Sequence, residues 1–279
     1  IAQNLPILTC LLAMSPMMGW SAIQASPREA TLFDGSRVLE VQIDMAPSDW
    51  DALRKEHHDI LAALGSTRFE KPEPNPYKTY KAEVTIDGTR VKSVGLRKRG
   101  FIGSSSFQRP SLGLRFDEFE PGRDFGGAKR LSLNNNLQDP SQLHQVLAYS
   151  IFAKAGVPAP RCSLARVTVN GKSLGIYSHV ETVRAPLLQR HFGSAEGNLY
   201  EGQLSDFRPD WVKTFEKKNN EAADRLDLDA VVRALQADDA DLLKRLDPLV
   251  DVEAYLRFWA LEALLGLWDS YSNNGNNFF

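Results

Sequence analysis

The sequence predicts an α+β fold, with a β-rich first half followed by a helical second half. Two dipeptides, Asp87-Gly88 and Asn170-Gly171, each join runs of alternating apolar and polar residues, the pattern of antiparallel hairpins. One capped helix, opened by Asp139-Pro140-Ser141, stands between those hairpins, and beyond Glu181 the pattern becomes helical. Hairpins without strand–helix–strand alternation speak against a Rossmann or barrel fold.

The 279 residues carry a net charge of −2, with 43% hydrophobic and 24% charged residues. This is the composition of an ordinary globular chain, and it excludes a disordered tail, a collagen-like repeat and a multi-spanning membrane protein. A near-neutral balance gives no support for a nucleic-acid partner, which usually meets a basic excess. Cys10 and Cys162 are too few for a disulfide framework or a cysteine-based zinc site. Because the chain opens at Ile1 and stops at Phe279 within an apolar run, it is expected to be a fragment, truncated at the C-terminal side.

Residues 1–25 hold no charged side chain, and the apolar run Leu5 to Met18 leads to Ala22-Ile23-Gln24-Ala25. That is the form of a signal peptide cut near Ala25, leaving a mature chain from about Ser26. The alternative is an uncleaved anchor, disfavoured by Pro16, Gly19 and an apolar length short of the ~20 residues a span requires. The expected location is outside the cytoplasm, secreted or in the cell envelope or periplasm, with membrane contact only if the segment stays on.

From Val38 to Met45 the alternation suits a half-buried strand. Ser48 then caps one helix expected to run to Gly65 on Trp50, Leu53, Ile60, Leu61 and Leu64, with His57 and His58 on its solvated face. Pro72, Pro74 and Pro76 mark a loop. Strands follow at Lys81–Ile86, Val91–Arg99, Ser111–Phe116 and Leu131–Leu133. The helix from Ser141 to Ala155 is expected to have Leu143, Val146, Leu147, Ile151 and Phe152 as its apolar face, with the first four packed against the hairpin Ser163–Val169 and Ser173–Val180. Four helices are expected at Ala185–His191, Asp229–Gln236, Asp239–Leu246 and Val250–Leu267; the last is apolar nearly all round and expected to be central.

Strands, one helix, two strands and then helices is the order of a protein-kinase small lobe and hinge. The motifs here are Arg97-Lys98-Arg99-Gly100 with Ser104-Ser105 and Arg109-Pro110-Ser111, then Leu133-Asn134, and Pro158-Ala159-Pro160 after the helix. With Asp139-Pro140-Ser141 and Ala148 to Gly156, the set also includes Val169-Asn170-Gly171, Leu174-Gly175-Ile176-Tyr177, Val180-Glu181, Gly197-Asn198-Leu199-Tyr200 and Trp268-Asp269-Ser270-Tyr271 running into Asn277-Phe278-Phe279. In this order they resemble the CotH family of atypical, spore-coat-type kinases, from about Val94 to Phe279. After the signal peptide (1–25) and an N-terminal extension (26–80), the resemblance implies a kinase-like N-lobe (81–183) and a partial helical C-lobe (184–279). It also implies transfer of phosphate from ATP, with Mg or Mn, to serine residues of secreted or coat proteins.

Under that resemblance Asp269 is the catalytic, base-like residue, and Asn277, with Asn274 as the second choice, holds the metal. Read without it, the run from Asp269 to Gly275 is a surface turn. Arg97, Arg99, Gly100 and Ser104 form a candidate phosphate cover; an ordinary hairpin with a solvated basic strand is the other reading. Arg115 or Lys129 would play the phosphate-binding lysine, and Glu181 marks the hinge beside adenine. The helix after Asp139 carries no Glu, and His144 stands where the family has an arginine. The family's second metal-binding aspartate lies beyond Phe279, so the 279 residues alone are expected to be inactive. A catalytically inactive, kinase-like coat or surface binding protein is the competing reading, and a carbohydrate hydrolase is disfavoured because Asp269 has no second carboxylate.

Overall fold

The computed structural model describes residues 32–70, 75–220 and 224–279. The expected signal peptide and its cleavage point lie outside the described residues.

The strands β1 (Val38–Asp44), β2 (Thr79–Ile86), β3 (Thr89–Arg99), β4 (Ser111–Arg115), β5 (Arg130–Asn134), β6 (Cys162–Val169) and β7 (Lys172–Glu181) form one closed barrel in the order β1-β2-β3-β4-β5-β7-β6. The expectation against a barrel is thereby corrected: this barrel is built of hairpins, and every neighbouring pair is antiparallel except β1 with β6. Both expected hairpin turns are present, with left-handed backbone at Asp87, Gly88, Asn170 and Gly171 as this turn type demands. Leu96 pairs with Leu114 and Leu112 with Leu133, and these side chains fill the interior with Val41, Val84, Val94 and Val167. Because strand side chains alternate between faces, the same strands turn Arg97, Arg99, Gly113, Arg115, Arg130 and Ser132 outward. Strand β1, from the segment expected as an extension, closes the barrel and so belongs to the same body as β2–β7.

The single helix expected from Ser48 to Gly65 is two, α1 (Pro47–Lys55) and α2 (Ile60–Leu64). Ala46, rather than Ser48, precedes the first turn, and Pro47 occupies its start. Lys98, only 2% exposed, donates to the carbonyls of Arg54 at 2.7 Å and Glu56 at 2.5 Å, which ends α1 by satisfying its last acceptors. Asp59 then caps α2 by accepting from the Ala62 amide at 3.1 Å. His57 and His58 lie in the break, and the His58 ring packs edge-on against Tyr77 and Phe101 rather than on a solvated helix face.

Helix α3 (His144–Lys154) starts three residues later than expected, because Asp139 spends its carboxylate on Ser141 and on the His144 amide in the turn before it. It buries Ala148 and Phe152 and leaves Leu147 56% exposed, which corrects the expected face. Phe152 packs with Val157, Ala159 and Leu261, the last from α7 (Val252–Leu264). The remaining helices are α4 (Ala185–Phe192), α5 (Leu226–Leu235), α6 (Asp239–Leu246) and the short α8 (Tyr271–Asn274). Helix α7 is not central: it buries Leu261 and Glu262 but exposes Leu256, Trp259 and Leu264. A two-stranded ribbon, β8 (Tyr200–Glu201) with β9 (Glu216–Lys217), was not anticipated. No helix among the described residues is long and apolar enough to cross a membrane.

Candidate active site

The outward face of β3, β4 and β5 gathers basic side chains. Arg115 stands opposite Arg130 across β4 and β5, and Arg97 and Arg99 stand opposite Gly113 and Ser111. Gly113 leaves room at this point: a Cβ there would lie 3.0 Å from Cδ of Arg99, a tight contact that the arginine would have to yield to. Burial holds the guanidiniums of Arg97, Arg99 and Arg130 below their ordinary range, and each is pushed further down by arginine neighbours, Arg184 among them. The nearby carboxylates are Glu118, bonded to Arg115 at 2.7 Å, with Asp117, Glu201 and Glu216. Lys218 already binds Glu201 at 2.5 Å and Glu216 at 2.6 Å. Five arginines thus crowd together with too little negative charge beside them, and Nε of Arg115 is buried without a hydrogen-bond partner among the described residues. Such a surface fits an anion with several oxygens.

Of the two candidates for the phosphate-binding cation, Arg115 lies in this group. Lys129 is exposed, one residue out of phase with Arg130 on the alternating strand. Arg130 and Arg184 are additions to the sequence reading. Arg130 was legible in principle, since it alternates with Leu131 and Leu133 as Arg97 and Arg99 do with Leu96; Arg184 follows β7 and carries no such signal.

The turn after Arg99 is ordered from within. Gly100 has φ of +103°, and a Cβ on it would strike Oγ of Ser104 at 2.4 Å. That hydroxyl accepts from the Phe101 amide at 3.1 Å, while the Gly100 carbonyl accepts from the Tyr77 phenol at 2.6 Å. Asn135, 1% exposed, fastens the turn to the sheet by donating to the carbonyls of Ser104 at 2.9 Å and Arg109 at 2.8 Å. Sequence reasoning gave Asn135 no role. Where a helix carboxylate would face the arginines, α3 presents Tyr149, whose phenol is raised by burial and drawn the other way by Arg99.

Asp269 follows α7 and sits inside a ring of asparagine amides. Its Oδ1 accepts from Asn274 at 2.7 Å and Asn276 at 2.9 Å, and its Oδ2 accepts from Asn277 at 2.9 Å. Asn277 also donates to the Asp269 carbonyl at 2.9 Å, so its nitrogen faces two acceptors and its amide oxygen points elsewhere. Asn274 and Asn277, expected as metal ligands, here donate to the carboxylate, and Asn276 had been given no role. The loop is a short helix, α8, wound against 202–205. Gly202 and Phe278 exchange backbone bonds, and the Ser205 amide donates to the Gly275 carbonyl at 2.7 Å. Since Glu201 also acts on Arg99, the β8–β9 ribbon adjoins both the arginine face and the Asp269 loop.

Glu181 is placed differently. Its carboxylate is 6% exposed and bonded by Arg161 at 2.8 Å and by Arg190 at 2.7 and 2.6 Å. Burial acts to raise its pKa, but the bonds from Arg190 and Arg161 prevail and hold it below the ordinary value. The side chain is thus committed to joining α4 to the end of β7. Among the described residues no three His, Cys, Asp or Glu side chains gather as a metal site. Two shallow hollows, about 350 Å³ each and open to solvent, lie beside α1 and β2 and on the outer edge of β2 and β3, lined by none of the residues of either group.

A barrel of hairpins carrying an arginine-rich outer face, followed by helices that present an aspartate in an asparagine-rich loop, defines the class. Residues 96–277 match the CotH kinase protein family, and the chain belongs to it. Inner spore coat protein H of Bacillus subtilis (strain 168) is 26% identical over 181 residues, 60% of this chain and 49% of that protein. Spore coat protein homolog 1 of Rhizopus delemar is 23% identical over 224 residues, 75% of this chain and 36% of that protein. The chain spans about half the length of inner spore coat protein H and less of the Rhizopus protein.

Proposed function

We propose that the full-length protein is an exported CotH-type kinase, with a kinase-like two-lobe layout, that transfers phosphate from ATP to serine residues of coat or cell-envelope proteins. The observation that carries this reading is the under-neutralised arginine group on β3, β4 and β5, which fits a polyphosphate. Arg97, Arg99, Arg115 and Arg130 would hold the phosphates, with the Gly100–Ser104 turn as their cover. Asn277 and Asn274 offer amide oxygens to Mg or Mn, which is commonly held by few protein groups together with phosphates and water. Bound ATP supplies the group to be transferred and the metal neutralises its charge.

The chain's own part is orientation. A carboxylate has about four acceptor positions; the amides take two on Oδ1 and one on Oδ2 of Asp269. The position left on Oδ2 can accept the hydrogen of a serine hydroxyl. Location in a coat or envelope rests on the names of the relatives and on the charge-free residues 1–25. The second reading, a binding protein without catalysis, is favoured by Tyr149 standing where a helix carboxylate would pair with a cation.

Nucleotide titration of the full-length protein with magnesium or manganese tests the phosphate site. A charge-assisted hydrogen bond is worth roughly 1.5–3 kcal/mol, so Arg99→Ala or Arg130→Ala should weaken ATP binding about 10- to 100-fold. Unchanged affinity in both would refute the site. Tight binding without transfer by the wild type would favour the binding-protein reading.

A further inference from the structure

The Asp269 loop is reached by a segment far away in the chain. After α2 the backbone makes a tight 3-10 turn, Ser66–Phe69, and this turn lies against a second one, Pro209–Thr214. Phe69 meets the Trp211 ring edge-on at 5.1 Å, and the Arg68 guanidinium lies over the same ring at 5.0 Å. From there Arg68 donates through Nη2 to the carbonyl of Leu204. The Leu204 amide donates to Oδ1 of Asn276 at 3.3 Å, and Nδ2 of Asn276 donates to Oδ1 of Asp269 at 2.9 Å. Hydrogen bonds at the carbonyl and at the amide of Leu204, joined through that residue's backbone, therefore link Arg68 to the candidate catalytic carboxylate.

We infer that residues 60–69 form a strap whose Arg68 positions Asp269 through Leu204 and Asn276. Leu204 is the lever. Its φ of +52° is a backbone state that bulky side chains adopt only when their surroundings enforce it. Arg68 supplies that enforcement at the carbonyl, Asn276 at the amide, and the Ser205–Gly275 bond on the following residue. With the Arg68 donor gone, Leu204 can relax to negative φ and turn its amide away from Asn276. Asn276 then loses the contact that tells its oxygen from its nitrogen, and Asp269 loses a fixed donor. The strap lies before residue 96, where the family match begins.

The inference rests on the kinase reading for its consequence in catalysis, though the linkage itself does not. Two readouts separate them in the full-length protein. Amide hydrogen exchange of peptides covering 202–206 and 270–278 reports the linkage; steady-state phosphate transfer reports the consequence. Arg68→Met keeps the stem and removes the donors. It should speed exchange in those two peptides alone, and lower kcat by about 10- to 100-fold, the scale of a misplaced catalytic group, with KM for ATP within about twofold. Arg68→Lys, which keeps a cationic donor, should restore part of both. Exchange unchanged in Arg68→Met, or quickened equally in the barrel strands, overturns the inference. Equal kcat in wild type and Arg68→Met overturns the positioning role while leaving the kinase reading intact. If the wild type transfers no phosphate, the kinase reading fails, and the local exchange pattern still decides whether the strap holds the loop.

Discussion

His179 on β7 has no exposed surface, stacks on Phe33 at 4.6 Å and keeps Nε2 without a hydrogen-bond partner among the described residues. Burial lowers its pKa to about 4; Arg161 acts in the same direction, and the Leu32 backbone and Glu181 oppose it. The folded value lies below the unfolded one near 6.5, so stability from the neutral ring is complete above that pH. It is lost as pH falls towards 4, because the unfolded chain takes up a proton that the folded chain refuses. Between pH 7 and pH 5 this amounts to about 2 kcal/mol, at 1.36 kcal/mol per unit. Urea unfolding at the two pH values should show that loss in the wild type and most of it abolished in His179→Gln. An equal loss in both would assign the pH dependence to other groups.

At the scale of elements, α3 separates two faces that its composition does not distinguish. Phe152 lies 7% exposed between α3 and α7, whereas Leu147 is 56% exposed. Phe152→Ala should cost about 3–5 kcal/mol, and Leu147→Ala in the 279-residue chain under about 0.5 kcal/mol; the reverse order in denaturant titrations would mean the helix is rotated. The Asp269 loop has its own key position. A Cβ on Gly202 would fall 2.2 Å from the Phe278 ring, so Gly202→Ala must displace Phe278 and the loop ahead of it. Phosphate transfer by the full-length protein should fall at least tenfold in this variant, the direction expected when reacting groups lose alignment, with barrel stability unchanged. Wild-type turnover would show that the loop does not depend on this contact.

What the sequence discloses depends on how local the cause is. The hairpins at Asp87-Gly88 and Asn170-Gly171 were legible because the turn chemistry lies in the dipeptides themselves. Asp139 was legible as a cap, but its carboxylate organises the turn before α3 rather than the helix end. The faces of α3 were not legible, since Val146, Leu147, Ala148, Tyr149, Ile151 and Phe152 leave no polar stripe to choose between them. The break in the 48–65 helix depends on Lys98, over forty residues away, reaching the carbonyls of Arg54 and Glu56.

For the molecule as a whole, closure comes from β1 and β6, a parallel pair joined by no local signal. That closure sets the outer face on which Arg97, Arg99, Arg115 and Arg130 converge. Arg97, Arg99 and Arg115 were singled out in the sequence and Arg130 was not, and the convergence of the four needed the register of three strands. On the other side of the β8–β9 ribbon, Asp269 was singled out through the family resemblance, since its loop alone reads as a surface turn, and the three amides around its carboxylate follow only from the fold. We propose that this aspartate orients an acceptor hydroxyl for phosphate transfer from a nucleotide held by the arginines. The most direct test is the rate of labelled phosphate transfer from saturating ATP, with manganese or magnesium, to serine-rich coat proteins by full-length wild type and Asp269→Asn. Asp269→Asn should lose about 10²–10⁴-fold, typical of a positioned base, with ATP affinity retained. Equal rates in the two proteins would contradict it.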